Sequence, residues 1–329
     1  MQLLTRVDIP ASGFSISETS RIMMLGSCFT ENIGKMFISN KFSCDVNPFG
    51  VLYNPMSISN ALSLLLKQEF DYRRYLFNHD GVWGSWMHST LFSSSDKEEC
   101  IANIEKRFRK ACEIIHSADV LFVTLGTNHY YALADDGLVV ANCHKCPSSF
   151  FVELTASAGY IVENIASVLS QLFAIRNDMK IVFTVSPYRY RKYGYHESQL
   201  SKAHLLLAID TLCRNYPRNV SYFPAYEIVL DELRDYRYYA EDMLHPSDLA
   251  VKYIWEIFSS AYLSPSAHKM MEDWQPIAQA LNHRFLSHDS ERRHSFWSAL
   301  NERIMRFSST YPSLDVTEEK DYIKDKLNL

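Results

Sequence analysis

Arg21-Ile22-Met23-Met24-Leu25-Gly26-Ser27-Cys28-Phe29-Thr30-Glu31-Asn32 combines two structural signals with two nucleophilic side chains. Arg21 to Leu25 reads as a buried strand, a short apolar run closed by a glycine turn. Thr30 to Phe37 then reads as a helix with Thr30 as its N-cap. A strand passing through small residues straight into a helix is the joint of an open α/β fold, and such folds build their sites beyond the carboxyl ends of the strands. Ser27 and Cys28 stand on that turn, where a helix N-terminus favours a thiolate or an oxyanion. Small residues also occupy such turns simply because they fit, so the stretch needs support from elsewhere in the chain.

Two later segments supply it. Val120-Leu121-Phe122-Val123-Thr124-Leu125-Gly126-Thr127-Asn128 again runs an apolar strand into a small-residue turn. Asn128 at its end is either an Asx-turn residue or a neutral donor to a developing oxyanion. In Asp242-Met243-Leu244-His245-Pro246-Ser247 a carboxylate stands three residues before a histidine. That spacing lets the carboxylate reach the imidazole Nδ1 and fix its tautomer, leaving the ring to act as a general base. The same loop also suits a helix start, with Ser247 as N-cap of the amphipathic run Leu249 to Phe258.

The rest of the chain alternates strand and helix. Strands are expected near Phe42–Val46, up to Leu125, over Lys180–Val185 and over Val220–Phe223; helices are expected near Ser57–Lys67, Asp96–His116, around Ile161–Leu172 and over Gln199–Tyr216. This rhythm implies a parallel sheet with helices on both faces, and it gathers the turns at Gly26, Gly126 and Ser186 at one edge. Trp83 to Phe92 interrupts it as an aromatic loop suited to covering a pocket, with His88 as a substrate contact or competing base against a bonded structural histidine. Past Leu263, Ser264-Pro265-Ser266 marks a break. Helical segments follow over Trp274–Leu286 and Arg292–Phe307, then a charged tail from Asp315 to Leu329. The expected division is an α/β catalytic domain over 1–263 and a helical extension over 264–329.

Taken together, the nucleophile turn, the G-x-N and the late D-x-x-H resemble the SGNH/GDSL hydrolases. More closely, the chain resembles the GSCFA family, whose motif reads Gly-Ser-Cys-Phe-Ala; Thr30 replaces the alanine. Asn47 to Pro55, Ala141 to Lys145, Thr184 to Pro187, Gln199 to Ala203 and Tyr239 to Ser247 are similar to that family's segments, in the same order. The resemblance implies a flavodoxin-like, SGNH-type parallel sheet and an ester hydrolase working through an acyl-enzyme, with carbohydrate O-acyl esters as the superfamily's substrate class. It implies Gly50 and Asn128 as the oxyanion hole, and Asp242 and His245 as the partners of the nucleophile. An O-acyltransferase at the same site and a catalytically silent binding protein remain alternatives. Laid on the superfamily's Gly-Asp-Ser, the chain puts Cys28 at the nucleophile position and Ser27 where that motif has aspartate. Cys28 is favoured, since a thiol near a helix N-terminus and a histidine is readily activated. Tyr190 departs from the family's Ser-Pro-Val-Arg-His, whereas Arg189 keeps a cation suited to an anionic substrate group or to a surface salt bridge. His144 in Cys143-His144-Lys145 reads as a pocket contact or a structural histidine.

Composition sets the remaining bounds. The 329 residues carry a formal net charge of -5 and are 47% hydrophobic, which suits a sizeable core and argues against a nucleic-acid surface. No run of ~18 consecutive apolar residues occurs, which argues against a membrane partner, and residues 1–10 lack an apolar signal core and read as a strand-like arm. A cytoplasmic enzyme needing no cofactor is the expectation, with a small-molecule or carbohydrate ester as substrate and no reading of oligomeric state. Seven cysteines without paired spacings make a disulfide framework improbable. A metal site on Cys143, Cys146, His144 and His88 has the weaker case, because no second ligand pair follows at zinc-site spacing.

Overall fold

The computed structural model describes residues 5–10, 12–283, 285 and 290–327. In chain order the elements are β1 (Arg21–Gly26), α1 (Cys28–Ser39), β2 (Ser43–Val46), α2 (Pro55–Lys67), the single turn α3 (Tyr72–Tyr75), and the hairpin strands β3 (Leu76–His79) and β4 (Val82–Ser85). Next come α4 (Lys97–Ser117), β5 (Val120–Leu125), β6 (His129–Leu133), β7 (Val139–Val140), β8 (Phe151–Thr155), α5 (Ala158–Ile175) and β9 (Lys180–Val185). The chain closes with α6 (Tyr195–Asn215), β10 (Val220–Tyr222), the short α7 (Ala225–Glu227), α8 (Asp248–Tyr262), α9 (Pro265–Leu281), α10 (Ser290–Thr310) and α11 (Thr317–Leu327).

Five strands form one sheet in the order β10-β9-β5-β1-β2, every neighbouring pair parallel. Counted along the chain this is the 2-1-3-4-5 doubly wound order, and its switch point falls between β1 and β5. Successive side chains alternate between faces. Met23, Leu25, Leu121, Val123, Ile181 and Phe183 join the core under α2, α4, α5 and α6. Ile22, Met24, Val120, Phe122 and Val182 point the other way, under α1 and α8. Burial on both faces explains why β1, β5 and β9 read as near-continuous apolar runs. Each such side chain contributes about 1.5–3 kcal/mol relative to exposure.

Helix α1 begins two residues earlier than its periodicity suggests. Ser27 has extended backbone and its hydroxyl accepts from the Phe29 N–H, so Ser27 is the N-cap and Thr30 is buried inside the first turn. Gly26 fits where no other residue does: at φ +147° its Cβ would stand 2.4 Å from the Thr124 carbonyl oxygen.

Trp83–Phe92 is not a loop over a pocket. Its first part is β4, paired antiparallel with β3, and Trp86 stacks on Phe77 at 3.8 Å. A second antiparallel sheet, β7-β6-β8, follows the β5 turn, where the sequence shows no strong apolar alternation. By length and mean hydropathy Ala158–Ile175 is apolar enough to cross a membrane, although Glu163, Asn164 and Gln171 interrupt its apolar residues. In this fold its Ile161, Ile165, Leu169 and Leu172 are buried in the sheet's core.

Ser264 caps α9 through the Ala267 N–H, with Pro265 in the first turn, so the break after Leu263 starts a new helix. Trp274, Ile277, Trp297, Leu300 and Phe307 join the same apolar cluster as Phe37 of α1. The Trp274 indole donates to the Ser39 carbonyl at 2.8 Å, and Lys41 pairs with Glu319 at 2.5 Å. The expected helix end at Leu286 and the end of the charged tail at Leu329, like residues 1–4 of the amino-terminal arm, lie outside the described residues. Residues 5–10 form no strand, and Val7 N–H is anchored on Glu232 at 3.1 Å.

Candidate active site

The turns after β1, β5 and β9 lie side by side at the carboxyl edge of the sheet, as the strand registers require. Asn47, just after β2, donates its N–H to the Met24 carbonyl and accepts the Gly26 N–H on Oδ1 at 2.9 Å. Leu52 N–H reaches the Gly26 carbonyl at 2.9 Å, and Gly126 N–H reaches Tyr53 O at 2.7 Å. The segment between β2 and α2 therefore stitches the first two turns together at the switch point.

Ser27 is 1% exposed and committed as a cap, whereas Cys28, the first helical residue, is half-buried. Burial pushes the Cys28 thiol up from its ordinary value. The N–H groups of Phe29 and Cys28 and the charge of Lys202 pull the other way, Glu31 adds to the rise, and burial prevails. This overturns the expectation of a thiol already lowered by its helix N-terminus.

Asp242 and His245 are brought together. Asp242 Oδ2 accepts His245 Nδ1 at 2.5 Å, and Oδ1 accepts the backbone N–H of His245 at 3.0 Å and of Leu244 at 2.9 Å. These bonds, the backbone one foremost, hold the Asp242 carboxyl down at about 2. With Nδ1 donating, Nε2 is left as the acceptor. The Tyr188 ring packs on the His245 ring at 4.3 Å. Tyr188 faces the charges of both Asp242 and Cys28, which with burial raise its hydroxyl. Among the described residues no hydrogen bond joins Cys28 or Ser27 to His245. Arg189 ties the histidine loop to the β9 turn: its N–H donates to Leu244 O at 3.0 Å, and its guanidinium lies over Tyr195 at 4.5 Å and Tyr239 at 5.6 Å. It also lines a small cleft with Pro187, Tyr188, Gln199 and Tyr226.

The two residues expected in the oxyanion hole differ in what they leave free. Gly50 N–H closes a turn onto the Asn47 carbonyl at 2.8 Å and does not face the crevice as a free donor. Gly50 is needed there for another reason: at φ +77° its Cβ would stand 1.9 Å from Ser89 Oγ. Asn128 is pinned on three atoms. Its N–H donates to Ser201 Oγ at 2.9 Å, its carbonyl accepts from Ala156 N–H, and Nδ2 donates to the Ala156 carbonyl at 2.9 Å. One hydrogen of that amide stays uncommitted. Ser201 and Lys202 of α6, which the sequence shows only inside the segment Gln199–Ala203, both brace this turn. The signal was present: Ser198, Ser201, Lys202 and Leu205 fall at i, i+3, i+4 and i+7, so a lysine sits on the inward face.

A family model described as "GSCFA family" matches residues 21–258, and a second, "GSCFA domain protein, C-terminal domain", matches residues 274–329. The chain belongs to the GSCFA family. Comparison with curated proteins finds none that matches.

Four of the GSCFA-like segments meet at the crevice: Asn47–Pro55, Thr184–Pro187, Gln199–Ala203 and Tyr239–Ser247. The fifth, Ala141–Lys145, packs elsewhere. His144, with φ +50°, bonds the Ser85 carbonyl through Nε2 at 2.9 Å and lies against Phe77. His88 is 1% exposed, bonds Ser85 Oγ through Nδ1 at 3.0 Å, and is enclosed by Phe49, Phe70 and Phe92. Burial drives its pKa down to about 3, so it is a neutral core residue. Both histidines make structural bonds away from this crevice, the alternative that the sequence leaves open for each. Among the described residues no three His, Cys, Asp or Glu side chains converge as a metal site, and all seven cysteines are free thiols.

Proposed function

We propose that this GSCFA protein is an SGNH-type acyl-transfer enzyme that cleaves ester bonds, with Cys28 as nucleophile, His245 as general base and Asp242 as its orienter. The observation that carries this reading is the 2.5 Å bond from His245 Nδ1 to Asp242 Oδ2, set beside Tyr188 at the edge where Cys28 emerges. A thiol raised by burial needs a base, and catalytic hydrogen bonds commonly tighten only once substrate is bound. In the first step His245 Nε2 takes the Cys28 proton and the sulfur attacks the ester carbonyl. The tetrahedral oxyanion is held by the Cys28 N–H and the uncommitted Asn128 amide hydrogen. Collapse expels the alcohol, which receives the proton from His245 and leaves an acyl-thioester. Water, deprotonated by His245, then attacks the thioester carbonyl and the C–S bond breaks. The acid is released and His245 returns the proton to the Cys28 sulfur; a sugar hydroxyl in place of water makes the same site a transferase.

Arg189, with no carboxylate partner among the described residues, is the cation available to an anionic portion of the substrate. The raised thiol and the missing Cys28–His245 bond favour a second reading, a binding protein that keeps the fold without turnover. Hydrolysis of short-chain p-nitrophenyl esters and acyl thioesters by wild type, Cys28→Ala, Ser27→Ala and His245→Ala separates the two. The proposal requires turnover abolished in the Cys28 and His245 variants and retained in Ser27→Ala. No turnover by wild type with any acceptor, water or sugar, supports the binding protein.

A further inference from the structure

A small cleft lies between the β9 turn, the first turns of α6 and the chain around α7. Tyr188 stands on its wall and also packs on the His245 ring at 4.3 Å, so the cleft and the proposed general base meet at one side chain. Arg189 lines the cleft with no carboxylate partner among the described residues. Its guanidinium lies over the rings of Tyr195 at 4.5 Å and Tyr239 at 5.6 Å. The one guanidinium hydrogen bond among the described residues, from Nη1 to the Met243 carbonyl, is long at 3.5 Å. Aromatic faces hold a guanidinium in plane and leave its N–H edge free, and that edge matches a carboxylate bidentately.

The neighbouring polar groups are donors as well. Ser198, 6% exposed, accepts from the Tyr190 N–H at 3.3 Å and keeps its own hydroxyl hydrogen uncommitted. Gln199 Oε1 accepts from the Tyr226 hydroxyl at 2.5 Å, which leaves the Gln199 amide hydrogens. No Asp or Glu lines the cleft among the described residues. Asp242 is spent on His245, Glu227 accepts from the Tyr222 hydroxyl, and Asp231 acts on Tyr226 from outside the cleft. Lys202, the other cation beside Tyr226, is spent on the Gly126 and Ser186 carbonyls at 2.7 Å each. The cleft's volume is about 30 Å³, room for about two water-sized groups. That suits the two oxygens of a carboxylate and falls short of the outer oxygens of a phosphate or sulfate monoester. Pro187, Val229 and Leu230 give the carbon chain that bears it an apolar wall.

We propose that this cleft is the selecting subsite of the enzyme: the ester it takes carries a carboxylate, which Arg189 binds through its N–H edge with Ser198 and Gln199 as further donors. The inference rests on the acyl-transfer reading above and names the substrate class within it. The carboxylate ends either a dicarboxylic acyl chain or an acidic sugar on the alcohol side, and the same three donors serve both.

The test is isothermal titration calorimetry of the full chain with two pairs of probes, glutarate against glutaramide and glucuronate against glucose. At least one carboxylate is expected to bind about ten- to hundredfold more tightly than its neutral counterpart, the effect of a charge-assisted bond. Preference for glutarate assigns the carboxylate to the acyl side, and preference for glucuronate assigns it to the alcohol. Arg189→Gln is expected to remove most of the preference, and Arg189→Lys, which keeps the charge without the fork, to fall between the two. Equal binding of charged and neutral probes by wild type overturns the proposal, even where the variants fail to fold. So does a preference that survives in folded Arg189→Gln. Binding is read without turnover, so the two claims fail separately. A carboxylate preference without ester hydrolysis supports the subsite and counts against the acyl-transfer reading, whereas hydrolysis without the preference counts against the subsite alone.

Discussion

Replacing Ser27 by alanine separates the two adjacent candidates for nucleophile by moving stability and activity apart. The Ser27 hydroxyl accepts one bond, from Phe29 N–H at 3.3 Å, at the start of α1. Loss of a serine cap costs about 0.5–2 kcal/mol. The bond is long, which points to the lower half of that range, but it leaves a buried N–H without a partner, which adds to the cost. About 1 kcal/mol is the expected net loss, or roughly 1–2 °C in Tm for a chain of 329 residues. The assay is paired: urea unfolding for stability, and p-nitrophenyl ester hydrolysis at a temperature where both proteins are fully folded. Turnover should stay within a few-fold of wild type, since the Cys28 sulfur is untouched. Turnover abolished with unchanged stability would refute the reasoning and make Ser27 the nucleophile.

Gly26→Ala forces a Cβ to 2.4 Å from a backbone oxygen at a positive φ, and should destabilise by about 3 kcal/mol or more by urea unfolding; a loss under about 1 kcal/mol would show that the turn yields. His88 gives the acid limb a sign that can be checked. Its folded pKa, about 3, lies below the ordinary value, so the neutral form's contribution is complete above about pH 6.5 and is lost as pH falls toward 3. Between pH 7 and 4 wild type should lose about 3 kcal/mol through this residue, and His88→Gln should flatten that limb; equal slopes in the two proteins would contradict it. Trp274→Ala removes a buried indole and its bond to Ser39, and should cost about 3–5 kcal/mol by urea unfolding. Two separate unfolding transitions in wild type would instead show that the carboxyl-terminal helices contribute little to the main fold.

The sheet was legible because its strands are buried on both faces: Val120–Leu125 and Lys180–Val185 stand out as apolar runs between polar turns. The approach of Asp242 to His245 was legible because it is local, three residues along one loop. What long-range packing decides was not. The aromatic residues of Trp83–Phe92 suit a pocket wall and a hydrophobic core equally, and only the hairpin with Leu76–His79 shows that they serve the core. The resemblance implies Gly50 N–H as an oxyanion donor, and no local sequence pattern reveals its turn onto Asn47. The Cys28 thiol was expected low from its helix N-terminus, but burial, which no short motif encodes, outweighs that effect. Lys202 left a trace in its inward helical register, whereas its carbonyl partners come from turns far away in the chain.

The most direct test of the central claim is to trap the acyl-enzyme. Wild type, Cys28→Ala and His245→Ala are each mixed with a short-chain p-nitrophenyl ester, quenched in acid and digested, and the Cys28-containing peptide is read by mass spectrometry. The account predicts an acyl group on Cys28 in wild type, its absence in Cys28→Ala, and much slower formation in His245→Ala. Full turnover by Cys28→Ala, or an acyl group on Ser27, would contradict it.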